Sequence, residues 1–349
     1  MTDPRSLLQR HLPRLAYDAQ EAYFADSAAI WTDSPTNVLK RADTVIAKPP
    51  TLSLDYLARY TARREDVIGD TTRAYAKNAA RLHAQATYAN RVYGHARRDR
   101  NGRLWLQYWL FYYYNDFKIL GNLVSGGKHE GDWELVQIEL DDAERPVRVV
   151  FSQHKEAEVQ PWGTVAKEGA RPLVYVARGS HANYFGPGSH WTGHWFDRAD
   201  GKGPRIDPTL EIVETETPKW LHWPGHWGDT KAEGPLDSNS PVSPGTRPHW
   251  TDPLALIQKA TPTKPAPQTP APVASVRREQ DRLVVTYEAD PEATQLIVAN
   301  RPAGSDEPAT VTTIDLTDPS GQVEIPAQSV DDEVWTSAVA PGKGPSDSV

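Results

Sequence analysis

One short segment concentrates the side chains best suited to chemistry. Residues 128–134 read Lys-His-Glu-Gly-Asp-Trp-Glu and run directly into the apolar sequence Leu-Val-Gln-Ile-Glu-Leu. If a strand begins near Asp132, its two-residue period places Asp132 and Glu134 on one face. Val136 and Ile138 share that face and mark it as buried. Two carboxylates on a buried face are costly unless a positive group meets them, which predicts a divalent cation or a pair of arginine side chains beside them.

Three histidines are expected to join these carboxylates. His129 lies in a glycine-flanked loop that can fold back beside them. His154 follows the predicted strand Val147–Ser152, and His181 follows the predicted strand Pro172–Ala177. Because each of these strands leads into a polar loop at its histidine, we expect the three segments to form one shared rim.

The donor types restrict the metal without identifying it. Imidazole and carboxylate ligands suit Mg²⁺, Ca²⁺, Mn²⁺ or Zn²⁺. The chain contains no cysteine, which excludes disulfides, thiolate metal sites and a cysteine nucleophile. The predicted metal ligands are His129, Asp132, Glu134 and His154. The residues expected to line a ligand site are His181, Tyr184, Trp133 and Asp116, whereas Glu130 is expected to face solvent.

A second group of histidines has a different character. It comprises His190, His194, His222 and His226, which stand among tryptophans in a sequence rich in proline and glycine. Packing of loops is the favoured interpretation, and a binding groove is the alternative.

The elements that would position the rim are mostly strands. A helix is predicted over Thr71–Ala84, followed by β-runs over Thr87–Arg97 and Arg103–Tyr114, which Asn101-Gly102 would join as a hairpin. Trp133–Leu140 continues the β pattern. The predicted fold class is mainly β with some α. It comprises a β-sandwich core with a helical N-terminal lead-in, followed by a C-terminal sandwich of fibronectin-III or immunoglobulin type.

A proline-rich stretch predicts the domain boundary. Residues 259–275 hold five prolines between Pro262 and Pro272, which favours an extended polyproline spacer. The expected organisation is a metal-site domain over 1–258, a linker over 259–275 and a sandwich over 276–349. Short strands are predicted in the last part at Arg282–Ala289, Gln295–Arg301, Thr310–Leu316, Val323–Ile325 and Glu333–Val339.

Composition favours a soluble protein. No run approaches the roughly 20 apolar residues that a membrane-spanning helix needs, and the first residues lack the features of a secretory signal. Together with the absence of cysteine this predicts a cytoplasmic location, while export by a route that reads no signal peptide stays open.

Basic residues between 59 and 81 alternate with acidic ones, which favours a solvated helical face over nucleic-acid binding. The oligomeric state is left open.

Five motifs around the rim, taken in their order along the chain, resemble the motifs of a known protein family. They are LQYWLFYYYND at 106–116, HEGDWE at 129–134, SQH at 152–154, VYVARGSHANY at 174–184 and HWG at 226–228. The set resembles the vacuolar-protein-sorting-sixty-two-like family over roughly residues 85–253. Pro13–Asp18 and Glu21–Phe24 resemble that family's N-terminal lead-in.

More distantly, the segment is similar to the necrosis- and ethylene-inducing-like cytolysins, whose signature is Gly-His-Arg-His-Asp-Trp-Glu. Alignment on Asp-Trp-Glu places His129, Asp132 and Glu134 on the signature's first His, its Asp and its Glu. The resemblance implies that these residues surround a divalent cation on a β-sandwich, with His154 nearby, and that the cation engages a sphingolipid headgroup. Gly131 replaces the second signature His, and the signal peptide and disulfide usual in that family are absent.

The favoured function is cation-dependent binding of an anionic or glycosylated group, as on a lipid headgroup, with peripheral membrane contact as one form of it. The alternative is a metal-dependent hydrolase or other enzyme with His154 or His181 as general base. The sequence contains no motif typical of a nucleophile elbow, a phosphate-binding loop or a zincin helix, which makes the enzyme hypothesis less favoured than binding. A third hypothesis is a scaffold that acts through the C-terminal sandwich.

Overall fold

The computed structural model describes residues 2–119, 124–154, 156–191, 196–229, 239–261, 270–303 and 310–340, with backbone alone at 118, 119, 124–126, 191, 196, 261 and 311. The fold is mainly β with a few short helices, which confirms the predicted class. The chain divides into two compact units. Unit 1 comprises Met1–Asp116, Gly127–Pro187 and Ala199–Thr263, and unit 2 comprises Phe117–Gly126, Gly188–Arg198 and Lys264–Val349.

The helices are short and several begin at capping residues. They are α1 (Pro4–Arg10), α2 (Ala29–Thr32), α3 (Leu54–Arg59), α4 (Tyr75–His83), α5 (Pro248–Thr251) and α6 (Leu254–Ile257). The side chain of Ser53 accepts a hydrogen bond from the Tyr56 amide at 3.1 Å and so caps α3. Helix α4 confirms the predicted helix and buries Ala79 and Leu82. Within the described residues, no helix is long and apolar enough to cross a membrane.

The strands of the first 261 residues form several sheets. They are β1 (Arg14–Tyr17), β2 (Asn37–Arg41), β3 (Thr44–Ala47), β4 (Asp66–Asp70), β5 (Arg91–Arg98), β6 (Leu104–Ile119), β7 (Val124–Leu140), β8 (Pro146–Gln153), β9 (Glu156–Pro161), β10 (Lys167–Glu168), β11 (Arg171–Val176), β12 (Asn183–Tyr184), β13 (Gly188–Trp191), β14 (Phe196–Ala199), β15 (Arg205–Ile206), β16 (Thr209–Ile212) and β17 (Ala260–Thr261). The largest sheet has the order β16-β5-β6-β7-β8-β9-β17.

Two sheets of unit 1 pack face to face. The second sheet has the order β10-β11-β1-β15, and β12 pairs with β11. A core of fully buried side chains lies between the sheets, with Leu110 and Val136 from the large sheet and Val174 from the second. The N-terminal segment, predicted as a helical lead-in, therefore also contributes a strand, because β1 pairs in parallel with β11.

The opposite face of the large sheet is covered by an aromatic core. Alternate residues of β6 divide between the two faces, since Leu106 and Leu110 enter the first core, whereas Trp105 and Trp109 enter the aromatic core. The three-stranded sheet β3-β2-β4 and loop tryptophans contribute to the same aromatic core. Both faces of the large sheet are thus buried, whereas the sequence predicted only one buried face for β7.

The predicted hairpin is confirmed at the junction of β5 and β6. Tyr93 pairs with Trp109 in the antiparallel register. The turn is closed by Asp99, whose Oδ1 accepts from the amides of Asn101 at 2.8 Å and Arg103 at 3.0 Å. Gly102 has a φ of +83°, a conformation that costs glycine little and other residues more.

Unit 2 contains two further sheets of three strands each. Its C-terminal strands are β18 (Val273–Glu279), β19 (Arg282–Glu288), β20 (Gln295–Pro302), β21 (Thr310–Asp315), β22 (Ser320–Pro326) and β23 (Asp332–Val339). The sheet orders are β18-β19-β22 and β21-β20-β23. Val285, Leu296 and Ala338 share one buried cluster. Strands β19 to β23 match the predicted ones, and β18 begins inside the predicted linker.

The predicted linker falls only partly within the described residues. Its central part, 262–269, lies outside them. On one side Ala260–Thr261 pairs in parallel with β9, and on the other side Val273 begins β18. The division into 1–258, 259–275 and 276–349, and the fibronectin-III type of the last part, stay predictions.

A buried histidine in β5 should make folding sensitive to acid. The ring nitrogens of His95 lie 2.9 Å from Gln107 Oε1 and 3.1 Å from Thr215 Oγ1, and the ring stacks on Trp250. Burial lowers the pKa of His95 from 6.5 to about 4. The unfolded chain therefore takes up a proton first, so stability is full above pH 6.5 and falls as the pH drops toward 4.

Between these two pH values, we expect the free energy of unfolding to fall by about 1.4 kcal/mol per pH unit because of His95 alone. Urea unfolding of the wild type and of His95→Gln, followed from neutral pH to about pH 5, measures it. The variant should start less stable and show a shallower pH dependence by that amount. Parallel curves for the two proteins would contradict the assignment of the proton to His95.

Candidate functional site

Strand β7 carries the two predicted carboxylates in its middle rather than at its start. The strand begins at Val124, so the prediction that it starts near Asp132 is wrong, and His129 lies within the strand rather than in a loop. Asp132 and Glu134 do share the face of Val136, as predicted, and both carboxylates are almost fully buried.

The Asp132 carboxylate is paired with a histidine from another strand end. Nδ1 of His181 donates to Oδ2 of Asp132 at 3.0 Å. The His181 ring is fully buried and stacks on Tyr112 with the ring centroids 3.9 Å apart and an interplanar angle of 2°. His181 has a φ of +57°, a backbone conformation that is uncommon outside glycine and that clusters at functional sites. The hydrogen bond brings His181, from the loop after β11, against the middle of β7.

Glu21 holds the other side of His181, and sequence analysis did not single it out. Its Oε1 lies 3.8 Å from Nε2 of His181. The same carboxylate accepts from the amides of Tyr23 at 2.8 Å and Gly179 at 2.7 Å, so it ties the N-terminal segment to the loop that carries His181. Its place in the Glu21–Phe24 motif was the one signal that could have found it.

The ring nitrogen Nε2 of His129 faces Asp132. Its Nδ1 lies 2.7 Å from the Gly131 carbonyl oxygen, which can only accept, so this nitrogen carries the proton. In the neutral ring Nε2 then keeps its lone pair, 4.0 Å from Oδ1 of Asp132. Burial lowers the pKa of His129, which favours the neutral form. A neutral imidazole with a free nitrogen is the form that binds metals.

Glu134 lies beside the end of β8. The Ser152 hydroxyl accepts from the Leu135 amide at 2.7 Å and donates to Oε2 of Glu134. His154 follows at the end of the same strand with a φ of +51°, and its side chain is exposed. The charge of His154 acts on Glu134 and favours the ionised carboxylate. The structure thus brings His154 near the rim from the solvent side.

Burial and neighbouring charges shift the pKa values of Glu134, Asp132 and His181 in different directions. Burial and the neighbouring Asp132 carboxylate raise the pKa of Glu134 to about 8. Burial alone would raise the pKa of Asp132, but the hydrogen bond from His181 and the charge of His181 hold it below its ordinary value. Burial opposes charge on His181 as well, yet its hydrogen bond with Asp132 and the nearby charge of Glu21 raise its pKa to about 9. At neutral pH Asp132 and His181 form a charged pair beside a protonated Glu134.

Arg247 is a further positive group near the two carboxylates, and the sequence analysis expected such a group without naming the residue. The sequence predicted a cation or a pair of arginines, and the structure supplies Arg247 together with protonated His181. Arg247 donates to the Trp133 carbonyl oxygen at 3.2 Å, and its guanidinium carbon lies 5.9 Å from the centroid of the Trp109 ring. Its charge acts on both Asp132 and Glu134.

Trp133 and Tyr184, two of the predicted ligand-site residues, pack in clusters outside the rim. Trp133 points to the aromatic core and lies next to Phe111, with ring centroids 5.0 Å apart. Tyr184 belongs to a small separate cluster with Ala199. The amide of Asp116 donates to the Gly179 carbonyl oxygen at 3.0 Å, which places its backbone beside the loop of His181.

Glu130 is buried, so the prediction that it faces solvent is wrong. Its carboxylate accepts from the amides of Asp70 at 3.0 Å and Asp229 at 2.9 Å and from the Tyr75 hydroxyl at 3.0 Å. These bonds replace the water that the carboxylate loses. Glu130 thus anchors the loop at Asp229 to β7.

The second histidine group packs loops. His222 and His226 contact the carbonyl oxygens of Thr215 at 2.8 Å and Ser240 at 3.0 Å. His190 is buried, and His194 lies outside the described residues. Trp220, Trp223 and Trp227, which stand among these histidines in the sequence, are buried in the aromatic core.

The donor set fits a divalent cation in part. His129 Nε2 and Asp132 Oδ1 are 4.0 Å apart, within twice a metal–ligand bond of about 2.1 Å. No three His, Asp or Glu side chains in the described part of the chain stand ready as a complete ligand set. Mg²⁺ is usually held by one or two carboxylates and keeps several waters, so an incomplete protein set is compatible with it.

The sequence matches no known family model and no curated protein. The resemblance to the vacuolar-protein-sorting-sixty-two-like family therefore stays a prediction.

Several solved structures match at low identity. "NLPPya in complex with glucosamine" is 12% identical and covers 75% of this chain and 92% of its own, with a TM-score of 0.37. "Toxin fold for microbial attack and plant defense" is 14% identical, with coverages of 74% and 92% and a TM-score of 0.36. "NLPPya in complex with mannosamine" is 15% identical, with coverages of 73% and 90% and a TM-score of 0.33. These are toxins of the cytolysin family that the sequence distantly resembles, and likenesses of this size carry no residue's role to the present chain.

Proposed function

We propose that unit 1 binds one divalent cation between His129, Asp132 and Glu134, and that the cation docks an anionic or polyhydroxylated group such as a lipid headgroup or a glycan. The observation that supports this most is the position of His129 Nε2, which faces Oδ1 of Asp132 at 4.0 Å while Nδ1 is held by the Gly131 carbonyl oxygen. Both side chains are held in place by other contacts, so their donor atoms are pre-positioned for a common partner.

A bound cation would stabilise a second negative charge at the site. Glu134 is buried beside Asp132, and at neutral pH the pair is tolerated because Glu134 keeps its proton. A divalent ion would stabilise the ionised form of both carboxylates and release that proton. Exposed His154 lies on the solvent side of Glu134, where an incoming polar group would first meet the protein.

Geometry favours binding over the hydrolase alternative. His181 is fully buried, and its two ring nitrogens face Asp132 and Glu21. A general base must reach the proton that it removes, and His181 is enclosed away from solvent. His154 is the exposed candidate, and in the binding proposal it contacts the docked group rather than moving a proton.

Vesicle sedimentation tests the function. The protein is mixed with phosphatidylcholine vesicles with or without phosphatidylinositol, whose headgroup carries both a phosphate and hydroxyl groups. With Mn²⁺ present it should sediment with the phosphatidylinositol vesicles, and EDTA should release it. Mn²⁺ at 100 times its dissociation constant should also raise the melting temperature by about 5–10 °C. Identical melting and sedimentation with Mn²⁺ and with EDTA would contradict the proposal.

A further inference from the structure

A cavity of about 140 Å³ opens to the surface between α4 and the N-terminal segment 22–26. Three exposed alanines, Ala22, Ala80 and Ala84, line its opening, and their side chains are too short to close it. A cavity of roughly 150 Å³ is known to hold one benzene molecule. The cavity is therefore large enough for a single six-membered ring, and a small molecule can reach it from solvent.

The interior of the cavity is mostly apolar. It is lined by Tyr23, Phe24 and Tyr113 and by the methyl group of Ala79. The hydroxyl group of Tyr113 is already bound, since it donates to Oδ2 of Asp70 at 2.9 Å. Walls of this kind favour a ligand whose body is itself apolar.

The side chains of His83 and Asp26 also line the cavity and form a pair. Nδ1 of His83 lies 2.9 Å and 3.0 Å from the two carboxylate oxygens of Asp26. Oδ1 of Asp26 also accepts from the amide of Asn90 at 2.8 Å. The ring of Phe24 stacks on the imidazole with the centroids 4.8 Å apart. These contacts hold the imidazole in one orientation at the wall of the cavity.

The second ring nitrogen of His83 is available to a ligand. Among the described residues Nε2 has no hydrogen-bond partner, and the His83 side chain is 28% exposed. The hydrogen bond to Asp26 raises the pKa of His83, which favours the charged ring. Burial raises the pKa of Asp26, and the hydrogen bond and charge of His83 oppose that rise. Helix α4 carries Lys77 and Arg81 and no acidic residue, so its charge also attracts an anion.

We propose that this cavity is a second binding site, which takes a small aromatic carboxylic acid with its ring in the apolar interior and its carboxylate accepting from Nε2 of His83. The site shares no residue with the rim of His129, Asp132 and Glu134, and it needs no metal. A His–Asp pair can also activate a nucleophile. None of the residues that line the cavity is a serine, threonine or cysteine, so the pair serves binding rather than acyl transfer.

Calorimetry with the full chain compares benzoate with benzamide, which has the same shape and no charge. The wild type should bind benzoate at least about tenfold more tightly, the usual worth of a hydrogen bond to a charged group. Ala79→Leu should abolish benzoate binding, because the larger side chain fills the cavity and leaves His83 and Asp26 in place. Ala76→Leu changes an exposed residue of the same helix that does not line the cavity, and this matched control should bind like the wild type.

A second measurement needs no variant. In NMR spectra of the wild type, benzoate should shift the imidazole resonances of His83. It should leave those of His222 unchanged, since Nε2 of His222 lies 2.8 Å from the Thr215 carbonyl oxygen. Equal affinity for benzoate and benzamide would overturn the role of His83, and undiminished binding by Ala79→Leu would overturn the cavity as the site. A wild type that binds no benzoate in either measurement would overturn the whole proposal.

Discussion

The substitution Gly228→Ala should destabilise unit 1 by about 3 kcal/mol or more, in the upper range of the cost of overpacking. A Cβ atom at this position would lie 2.3 Å from Glu130 Cβ, 2.3 Å from Ser240 Oγ and 2.6 Å from the Glu130 carbonyl oxygen. Two of these atoms belong to the rigid strand β7, so the loop of Gly228 would have to move away from it. Because Glu130 is two residues from Asp132, the displacement should also disturb the rim.

Thermal and urea unfolding measure this effect, and Gly163→Ala is the matched control. A Cβ at Gly163 would meet no atom within 4 Å, so that variant should differ from the wild type by less than about 0.5 kcal/mol. If Gly228→Ala were as stable as Gly163→Ala, the close packing of this loop on β7 would be wrong.

The substitution Asp132→Asn should reduce Mn²⁺ affinity by about 100-fold or more, which corresponds to about 2.7 kcal/mol. The amide keeps the size of the side chain and removes the charge that would face the cation. It also replaces the charged acceptor that holds His181 protonated with a neutral one, so the pKa of His181 should fall toward its ordinary value. Calorimetric titration with Mn²⁺ and the NMR titration of His181 measure the two effects on one sample.

Two further variants make the Asp132 result interpretable. Asp43→Asn removes an exposed carboxylate of the same unit and should leave Mn²⁺ affinity unchanged. His129→Leu removes the other facing donor without breaking the Asp132–His181 pair and should weaken Mn²⁺ by a comparable factor. Wild-type affinity in both Asp132→Asn and His129→Leu would show that the cation binds elsewhere.

Local patterns in the sequence predicted much of the fold. The Asn101-Gly102 turn and the alternation along β6 depend on neighbouring residues, so they can be read from short segments. The same alternation correctly placed Asp132 and Glu134 on one face of β7. It missed the earlier start of the strand because the glycines before His129 have the composition of a loop.

The partners of the carboxylates could not be read in this way. Glu21 and Arg247 are more than 100 residues from Asp132 in the chain, and only the tertiary fold brings them to β7. Trp133 looked available for a ligand because the second face of the sheet gave no sign that it is buried.

The measurement that tests the cation site most directly is anomalous scattering from a crystal of the full chain soaked in Mn²⁺. We expect one strong peak between Nε2 of His129 and Oδ1 of Asp132, the two facing donors, with Glu134 turned toward it. The peak should disappear in a crystal of Asp132→Asn soaked in the same way. No peak at this position in the wild type, at a Mn²⁺ concentration that occupies other sites, would contradict the proposal.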